Sequence, residues 1–309
     1  MVSIIIPNFN HAKFLEQRIN SVLNQSYLDF ELIILDDASS DGSRLVIDRY
    51  KDHPKVSHII YNEKNSGSTF KQWKKGLLLA KGELIWIAES DDVADPDFLK
   101  TLIERIKTHP KAVISYCGSN VIDEKGVFIE KEAWAVGSSK RNWDQDFISN
   151  GSDEIRNEMY FKCSIPNASA AVFQKSKVDM LVFNEIESMH FAGDWLFWIR
   201  LMEKGDVLYT AKRLNNFRKH ASTTRSLQNP ALETRRINEY LKVINYLRCR
   251  YKLAWNRKKH RWMITEWADK YSTVTGSTFA FFRSDFPPAY NMRLVVRVVK
   301  NLIFSSTNR

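Results

Sequence analysis

Glu31-Leu32-Ile33-Ile34-Leu35-Asp36-Asp37-Ala38-Ser39-Ser40-Asp41-Gly42 is the stretch on which the reading of this chain turns. Its first half is an unbroken apolar run of strand length, the pattern of a strand buried on both faces. Its second half is an acidic, turn-rich loop that also offers helix caps. The same alternation continues on both sides. Upstream, residues 3–6 form a strand that ends at Pro7 and runs into Asn8-Phe9-Asn10; a helix over residues 13–24 follows, with Phe14, Leu15, Ile19, Val22 and Leu23 at helix spacing. Downstream come a helix over 43–51, a strand over 56–61, a helix over 70–80 and a strand over 84–88 that ends in Glu89-Ser90-Asp91-Asp92. Apolar strands joined by helices predict an α/β chain with a mostly parallel sheet covered on both faces. In such sheets ligands bind beyond the carboxyl ends of the strands. Residues 7–10, 36–41 and 89–92 occupy three such ends, so the sheet makes neighbours of clusters that lie far apart in sequence.

The composition fits a folded protein with room for one large sheet and a smaller appendage. Across 309 residues, 44% hydrophobic and 27% charged with 11 Gly and 8 Pro excludes collagen-like, disordered and low-complexity classes. Cys117, Cys163 and Cys249 have neither disulfide-framework nor metal-ligand spacing, which points to a reducing compartment. The opening Val2-Ser3-Ile4-Ile5-Ile6 lacks a basic leader and a cleavage site, and no apolar run reaches the ~18 residues of a membrane span. The expected location is therefore the cytoplasm, or the cytoplasmic face of a membrane.

The net charge of +10 is unevenly placed: residues 226–309 hold 16 Lys/Arg against 5 Asp/Glu, and residues 1–225 hold 30 against 31. A neutral body with a basic tail points to an anionic surface such as a membrane leaflet, or else to a solvated helical tail. Nucleic acid is not expected, because the body lacks a basic patch interleaved with aromatics. In residues 290–304, Arg293, Arg297 and Lys300 share one helical face and leave a broad apolar surface. That suits either insertion beside anionic lipid or docking on the body.

A strand over 111–116 opens a second region, with Trp134, Trp143, Phe147 and Tyr160 further on. His190-Phe191-Ala192-Gly193-Asp194-Trp195-Leu196-Phe197-Trp198 opens a helix running to about residue 203, and residues 207–209 read as a short strand leading to His220. Beyond 226 the pattern is helical, with breaks at Gly276 and at Pro287-Pro288. Gly76 and Gly82 read as punctuation around a helix and a strand.

Adjacent carboxylates at strand ends repel unless a cation or basic side chains relieve them. Asp91 and Asp92 therefore read either as ligands of a hard, oxygen-preferring ion such as Mg²⁺ or Mn²⁺, or as caps of the next turn. Asp194 is either an N-cap or an acid/base group. His220 is either structural or part of a metal shell. The tryptophans Trp134, Trp143, Trp195 and Trp198 suit sugar stacking, though an aromatic on a core helix is more often core.

In order along the chain, Val2-Ser3-Ile4-Ile5-Ile6-Pro7-Asn8-Phe9-Asn10, Ser21-Val22-Leu23-Asn24-Gln25-Ser26, residues 31–42, Asn65-Ser66-Gly67, Lys81-Gly82-Glu83-Leu84-Ile85 and Glu89-Ser90-Asp91-Asp92 resemble the large inverting glycosyltransferase family 2, whose members have the GT-A fold. The resemblance covers residues 1 to about 225. It implies a GT-A fold with a Rossmann-like, mostly parallel central sheet, flanking helices and a helical C-terminal extension. It divides the chain into a nucleotide-sugar half (1–115), an acceptor-binding and catalytic half (116–225) and a basic helical extension (226–309).

By this resemblance the chain transfers a sugar, with inversion, from a nucleotide-diphosphate donor (UDP, GDP or dTDP) to a glycan or lipid-linked saccharide in cell-surface polysaccharide synthesis. Pro7, Asn8, Phe9, Asn10, Asp36, Asp37, Asn65, Glu89, Ser90 and Asp91 would contact the donor. Asp37 matches the position at the base. Lys71 is either a donor contact or a solvent-facing helical lysine. Asp91, Asp92 and His220 would hold Mg²⁺ or Mn²⁺, with either aspartate as the direct ligand. Asp194 matches the catalytic base, and Trp195 and Trp143 would face the acceptor. One departure is Glu89, where the family pattern usually has Asp. A nucleotidyltransferase would share the sheet and the carboxylates but needs a Gly-rich basic loop where Pro7-Asn8-Phe9-Asn10 stands. A non-catalytic, membrane-associated or nucleotide-binding protein with a degenerate GT-A fold is the other rival.

Overall fold

Every residue of β1 (Val2–Asn8) and of β2 (Phe30–Asp36) is buried, as expected of apolar strands at the middle of a covered sheet. The computed structural model describes residues 1–132, 141–220, 230–256 and 258–263. Between the two strands, α1 (Ala12–Leu23) buries Phe14, Leu15, Arg18, Ile19 and Val22, a stripe at helical spacing with one cation in it. The chain continues through α2 (Ser43–Asp48), β3 (Val56–Tyr61), α3 (Thr69–Leu79), β4 (Leu84–Ile87), β5 (Val93–Ala94) and α4 (Phe98–Thr108). Next come β6 (Ala112–Ile122), β7 (Phe128–Lys131), β8 (Phe147–Ser149), α5 (Gly151–Glu154), β9 (Ala171–Gln174) and α6 (Phe183–Ile186). The described elements end with α7 (Gly193–Met202), β10 (Asp206–Arg218) and α8 (Pro230–Tyr251).

The strands form one sheet in the order β3-β2-β1-β4-β9-β6-β10-β5, with β7 on β6 and β8 on β10. The β3-β2-β1-β4 half is parallel throughout, and β10 runs parallel to β6; β9 is antiparallel to both its neighbours. The α/β sheet read from the sequence is present, but it is mixed: four of its nine described strand pairings are parallel and five are antiparallel. The registers set Asn8 beside Asp36 at one edge of the sheet and carry β4 up to Glu89 at the same edge.

Three other readings change. β10 spans thirteen residues, far more than the short strand over 207–209, because register shifts at Thr210/Arg213 and Arg213/Asn215 accommodate polar residues that break the apolar alternation. β6 runs on through Cys117-Gly118-Ser119-Asn120, so the dividing line at 115 falls inside a strand that pairs with both β9 and β10. Gly76 and Gly82 are close-packing positions. A Cβ on Gly76 would lie 2.5 Å from Ile5 Cγ2, and one on Gly82 2.5 Å from the Ser3 amide nitrogen.

The chain divides into two compact units, residues 1–189 with 193–220, and residues 190–192 with 221–309. In the second unit, Glu239 of α8 accepts hydrogen bonds from the amides of His190, Phe191 and Ala192. Among the described residues no helix is long and apolar enough to cross a membrane. Trp134, Gly276, Pro287, Pro288 and residues 290–304 lie outside the described residues.

Candidate active site

The ends of β1, β2 and β4 meet as the sheet rule requires. Asn8 Nδ2 donates to Asp36 Oδ1 (2.7 Å), and Asp36 also accepts from the Ser39 amide (3.0 Å) and hydroxyl (2.6 Å). These bonds hold a tight turn in which Ala38 has φ +59°. Pro7, Asn8 and Asp36 are buried in this framework. The Asp36 carboxylate thus anchors the turn at the end of β2. Phe9 and Asn10 stay exposed beyond the strand, with Asn10 at φ +55° and its Oδ1 accepting from the Ser40 amide.

Asp37 clasps the 62–72 segment. Its Oδ1 accepts from Asn62 Nδ2 (2.6 Å), the Ser66 amide (2.9 Å) and Gln72 Nε2 (2.9 Å), and its Oδ2 from the Ser66 hydroxyl (2.7 Å). Asn65 and Lys71 are exposed on the same segment; Lys71 Nζ donates to the Ser66 carbonyl (3.1 Å).

The four residues after β4 are the centre of the site, and consecutive side chains do different work. Glu89 Oε1 accepts from Trp73 Nε1 of α3 (2.9 Å), and the Glu89 carbonyl accepts from Arg18 Nε (2.7 Å). The residue keeps some exposure, but its carboxyl is enclosed; burial and the nearby Asp91 charge push it up to about 8. Ser90 Oγ lies 2.8 Å from His11 Nδ1. Asp91 Oδ2 lies 3.0 Å from His220 Nε2. Against the upward push of burial, the His220 hydrogen bond and the charges of His11 and His220 hold Asp91 below the usual carboxylate range.

Asp92 is committed inward. It is 1% exposed, its Oδ2 accepts from Asn167 Nδ2 (2.9 Å) and its Oδ1 from the Arg218 amide (3.0 Å). Its charge partner is Arg18, fully buried, with Nη2 3.9 Å from Asp92 Oδ2 and 2.8 Å from Ser169 Oγ. Burial first, then repulsion from Asp91, raises Asp92 to about 6. Asp91 and Asp92 lie in the turn between β4 and β5, where the Asp92 amide donates to the Glu89 carbonyl at 3.3 Å, and the Asp92 carboxylate takes the interior side.

Among the described residues, His11, Asp91 and His220 form a group that could hold a metal ion. One ligand atom from each lies within 4.8 Å of the others. The imidazole rings meet edge to face at 5.4 Å, and Phe14 lies 4.8 Å from the His220 ring. Two imidazoles with one carboxylate are a coordinating donor set, so the residues present fit a divalent cation. Arg218, at the end of β10, sets His220 two residues later: its Nε donates to the Asp91 carbonyl (2.7 Å) and its Nη2 to Gln17 Oε1 (2.6 Å).

Asp194 stands in the first turn of α7, its Oδ1 accepting from the Trp195 amide (2.7 Å). Gly193 lets α7 approach α3, since a Cβ there would lie 2.4 Å from the Phe70 ring. Through Phe197, whose ring is 5.5 Å from Trp73, α7 packs on the tryptophan that binds Glu89. Trp195, expected at the acceptor, is 2% exposed here and its Nε1 donates to the Met159 carbonyl (2.9 Å). Trp198 is core as well. Trp143 is half-buried and lines a cavity of about 370 Å³ with Tyr116, Arg141, Tyr209 and Arg213. Its Nε1 finds no hydrogen-bond partner among the described residues.

Sequence reasoning missed His11, Arg18 and Arg218. Arg18 carried a signal, a cation at an apolar-stripe position of α1. His11 stands one residue beyond the polar cluster 7–10. Arg218 carried none, because its role depends on the length of β10.

The family model of Glycosyl transferase family 2 matches residues 3–168, more than half of the chain. The chain is 32% identical over 131 residues to the putative teichuronic acid biosynthesis glycosyltransferase TuaG of Bacillus subtilis, covering 42% of this chain and 51% of TuaG. It therefore spans about half the length of that relative. It is 30% identical over 259 residues to the poly(ribitol-phosphate) beta-N-acetylglucosaminyltransferase TarP of Staphylococcus aureus, covering 79% of this chain and 72% of TarP. The crystal structure of S. aureus TarS 1–349 in complex with UDP-GlcNAc matches with a TM-score of 0.60 over 97% of this chain and 81% of that one, at 15% identity, a likeness of fold.

Proposed function

This chain belongs to glycosyl transferase family 2, and from that premise we propose that it is a metal-dependent, inverting glycosyltransferase. It moves a sugar from a nucleoside-diphosphate donor to a hydroxyl of a glycan or lipid-linked saccharide in cell-surface polysaccharide synthesis. The observation that carries the reading is the meeting of Asp91 and His220 at the carboxyl edge of the sheet, from positions 129 residues apart.

A divalent cation such as Mg²⁺ or Mn²⁺, when bound there, takes up charge developing on the departing diphosphate. Asp91 and His220 would hold it. Ser90, Glu89 and the exposed Phe9–Asn10 turn border the same edge and bind the donor, with Asn65 and Lys71 beside it on the segment that Asp37 clasps. Glu89, protonated at neutral pH, can donate a hydrogen bond from its carboxyl as well as accept one from Trp73. Asp194 takes the acceptor's proton as the acceptor oxygen attacks the anomeric carbon on the face away from the diphosphate, which inverts the configuration. Trp143, at the wall of its cavity, is the remaining acceptor-side aromatic. UDP is the first donor base to test, since the TarS structure of like fold holds UDP-GlcNAc; GDP and dTDP follow. The basic residues beyond 226 supply contact with an anionic leaflet at the cytoplasmic face.

Calorimetry with UDP, GDP and dTDP, each with and without Mn²⁺, tests the donor and metal. Metal-dependent binding of one nucleotide is expected; binding of none by folded protein overturns the reading. Asp194→Asn should lower transfer by about 10²–10⁴-fold and leave donor binding intact. A loss of donor affinity would remove Asp194 from the role of base.

A further inference from the structure

We propose that His11 is a third protein ligand, so that His11, Asp91 and His220 bind the cation before any nucleotide arrives and favour Mn²⁺ over Mg²⁺. The inference rests on the metal reading above and extends it from two protein ligands to three.

Three observations carry it. The first is distance. Two donors on one ion with bonds of about 2.1 Å lie no more than about 4.2 Å apart. The three ligand atoms lie within 4.8 Å of one another, so shifts of a few tenths of an ångström per side chain close the site. The second is orientation. Ser90 Oγ holds His11 by Nδ1 at 2.8 Å, and Ser90 is itself buried and directly precedes Asp91. A metal-binding histidine is ordinarily fixed in this way, through the ring nitrogen that does not meet the ion. The third is origin. His11, Asp91 and His220 stand two to four residues beyond the ends of β1, β4 and β10, so three strands of one sheet bring the ligands together. Phe14 lies against both imidazoles, 6.1 Å from His11 and 4.8 Å from His220, and limits how far either ring can turn away.

The donor set then decides the metal. Mg²⁺ demands oxygen ligands in near-octahedral geometry and gives up water reluctantly. Two imidazoles therefore handicap it more than they handicap a first-row ion, and within that row Zn²⁺ binds nitrogen more strongly than Mn²⁺.

The test uses the full chain stripped of metal and titrated with Mn²⁺ alone, with free Mn²⁺ read from its paramagnetic resonance signal. Wild type should bind one Mn²⁺ without nucleotide, with nitrogen couplings from two imidazoles, a readout that needs no variant. His11→Ala and His11→Gln should each weaken binding by about 10-fold or more and leave one nitrogen coupling. Mg²⁺ should displace the bound Mn²⁺ only at concentrations about tenfold or more above it.

A single nitrogen coupling in wild type overturns the proposal, as does Mn²⁺ binding that requires UDP or that is unchanged in both His11 variants. If in those cases Asp91→Asn still abolishes Mn²⁺ binding in the presence of UDP, the two-ligand reading stands without His11. If Asp91→Asn and His220→Ala bind Mn²⁺–UDP like wild type, the metal part of the proposed function falls with it.

Discussion

Replacing Asp92 should damage the fold, whereas replacing its neighbour Asp91 should damage the site. The Asp92 carboxylate is 1% exposed and faces Arg18, which is fully buried, at 3.9 Å. Truncation to Ala leaves a guanidinium enclosed without its counter-charge and removes the acceptors of Asn167 Nδ2 and the Arg218 amide. Breaking a buried pair from one side costs about 3–5 kcal/mol, which for a chain of this size lowers the melting midpoint by roughly 5–8 °C. Asp92→Asn keeps one acceptor oxygen and should cost less, about 1–2 kcal/mol. Asp91→Ala loses one hydrogen bond from His220 but also relieves repulsion with Asp92 and Glu89. Its cost should be about 1 kcal/mol, the net worth of the one hydrogen bond lost. Urea unfolding followed by tryptophan fluorescence, with Mn²⁺ binding measured on the same samples, gives both quantities. The reasoning is refuted if Asp92→Ala stays within about 1 kcal/mol of wild type, or if it loses Mn²⁺ binding while Asp91→Ala keeps it.

Glu89→Gln should flatten the pH dependence of stability. The folded state holds the Glu89 proton up to about 8, above its ordinary value, so wild-type stability falls as pH rises from the carboxylate range to about 8, and glutamine removes that fall. Melting curves at several pH values check it, and parallel curves for the two proteins would exclude the assignment. Trp195→Phe should cost about 1–3 kcal/mol by leaving the Met159 carbonyl unpaired, with acceptor KM unchanged; a raised acceptor KM at wild-type stability would restore its place at the acceptor. Gly76→Ala should destabilise by about 1–3 kcal/mol through overlap with Ile5, despite the ~1 kcal/mol that alanine gains over glycine in a helix. A neutral or stabilising result in a thermal melt counts against that packing.

The half of the fold nearest the N-terminus was legible because β1, β2 and β4 are nearly unbroken apolar runs, and α1 between the first two carries a clean 3.6-residue stripe. β10 and the far half of β6 were not, because their cohesion comes from pairing with each other across residues such as Arg213 and Asn215 on one strand and Gly118 and Ser119 on the other. Single-strand periodicity carries no trace of that partner. The same division holds in the site. The polar clusters at the three strand ends could be placed from topology alone. The sorting of Asp91 from Asp92 could not, since it depends on which side of the chain meets Arg18 and Asn167. His11 escaped notice because a histidine after a strand acquires meaning only beside a second imidazole that arrives from position 220.

The order of synthesis gives the last point its consequence. His11 and Asp91 leave the ribosome well before His220, which follows Asp91 by 129 residues, roughly 6–26 s at the usual 5–20 residues per second. During that interval the nascent chain has two of its three candidate ligands. It also lacks the Arg218 backbone amide that completes the bonding of Asp92. On the three-ligand proposal, ion capture at full strength would wait for β10 to add itself beside β6, so metal uptake would timestamp completion of the sheet and lag behind its first strands.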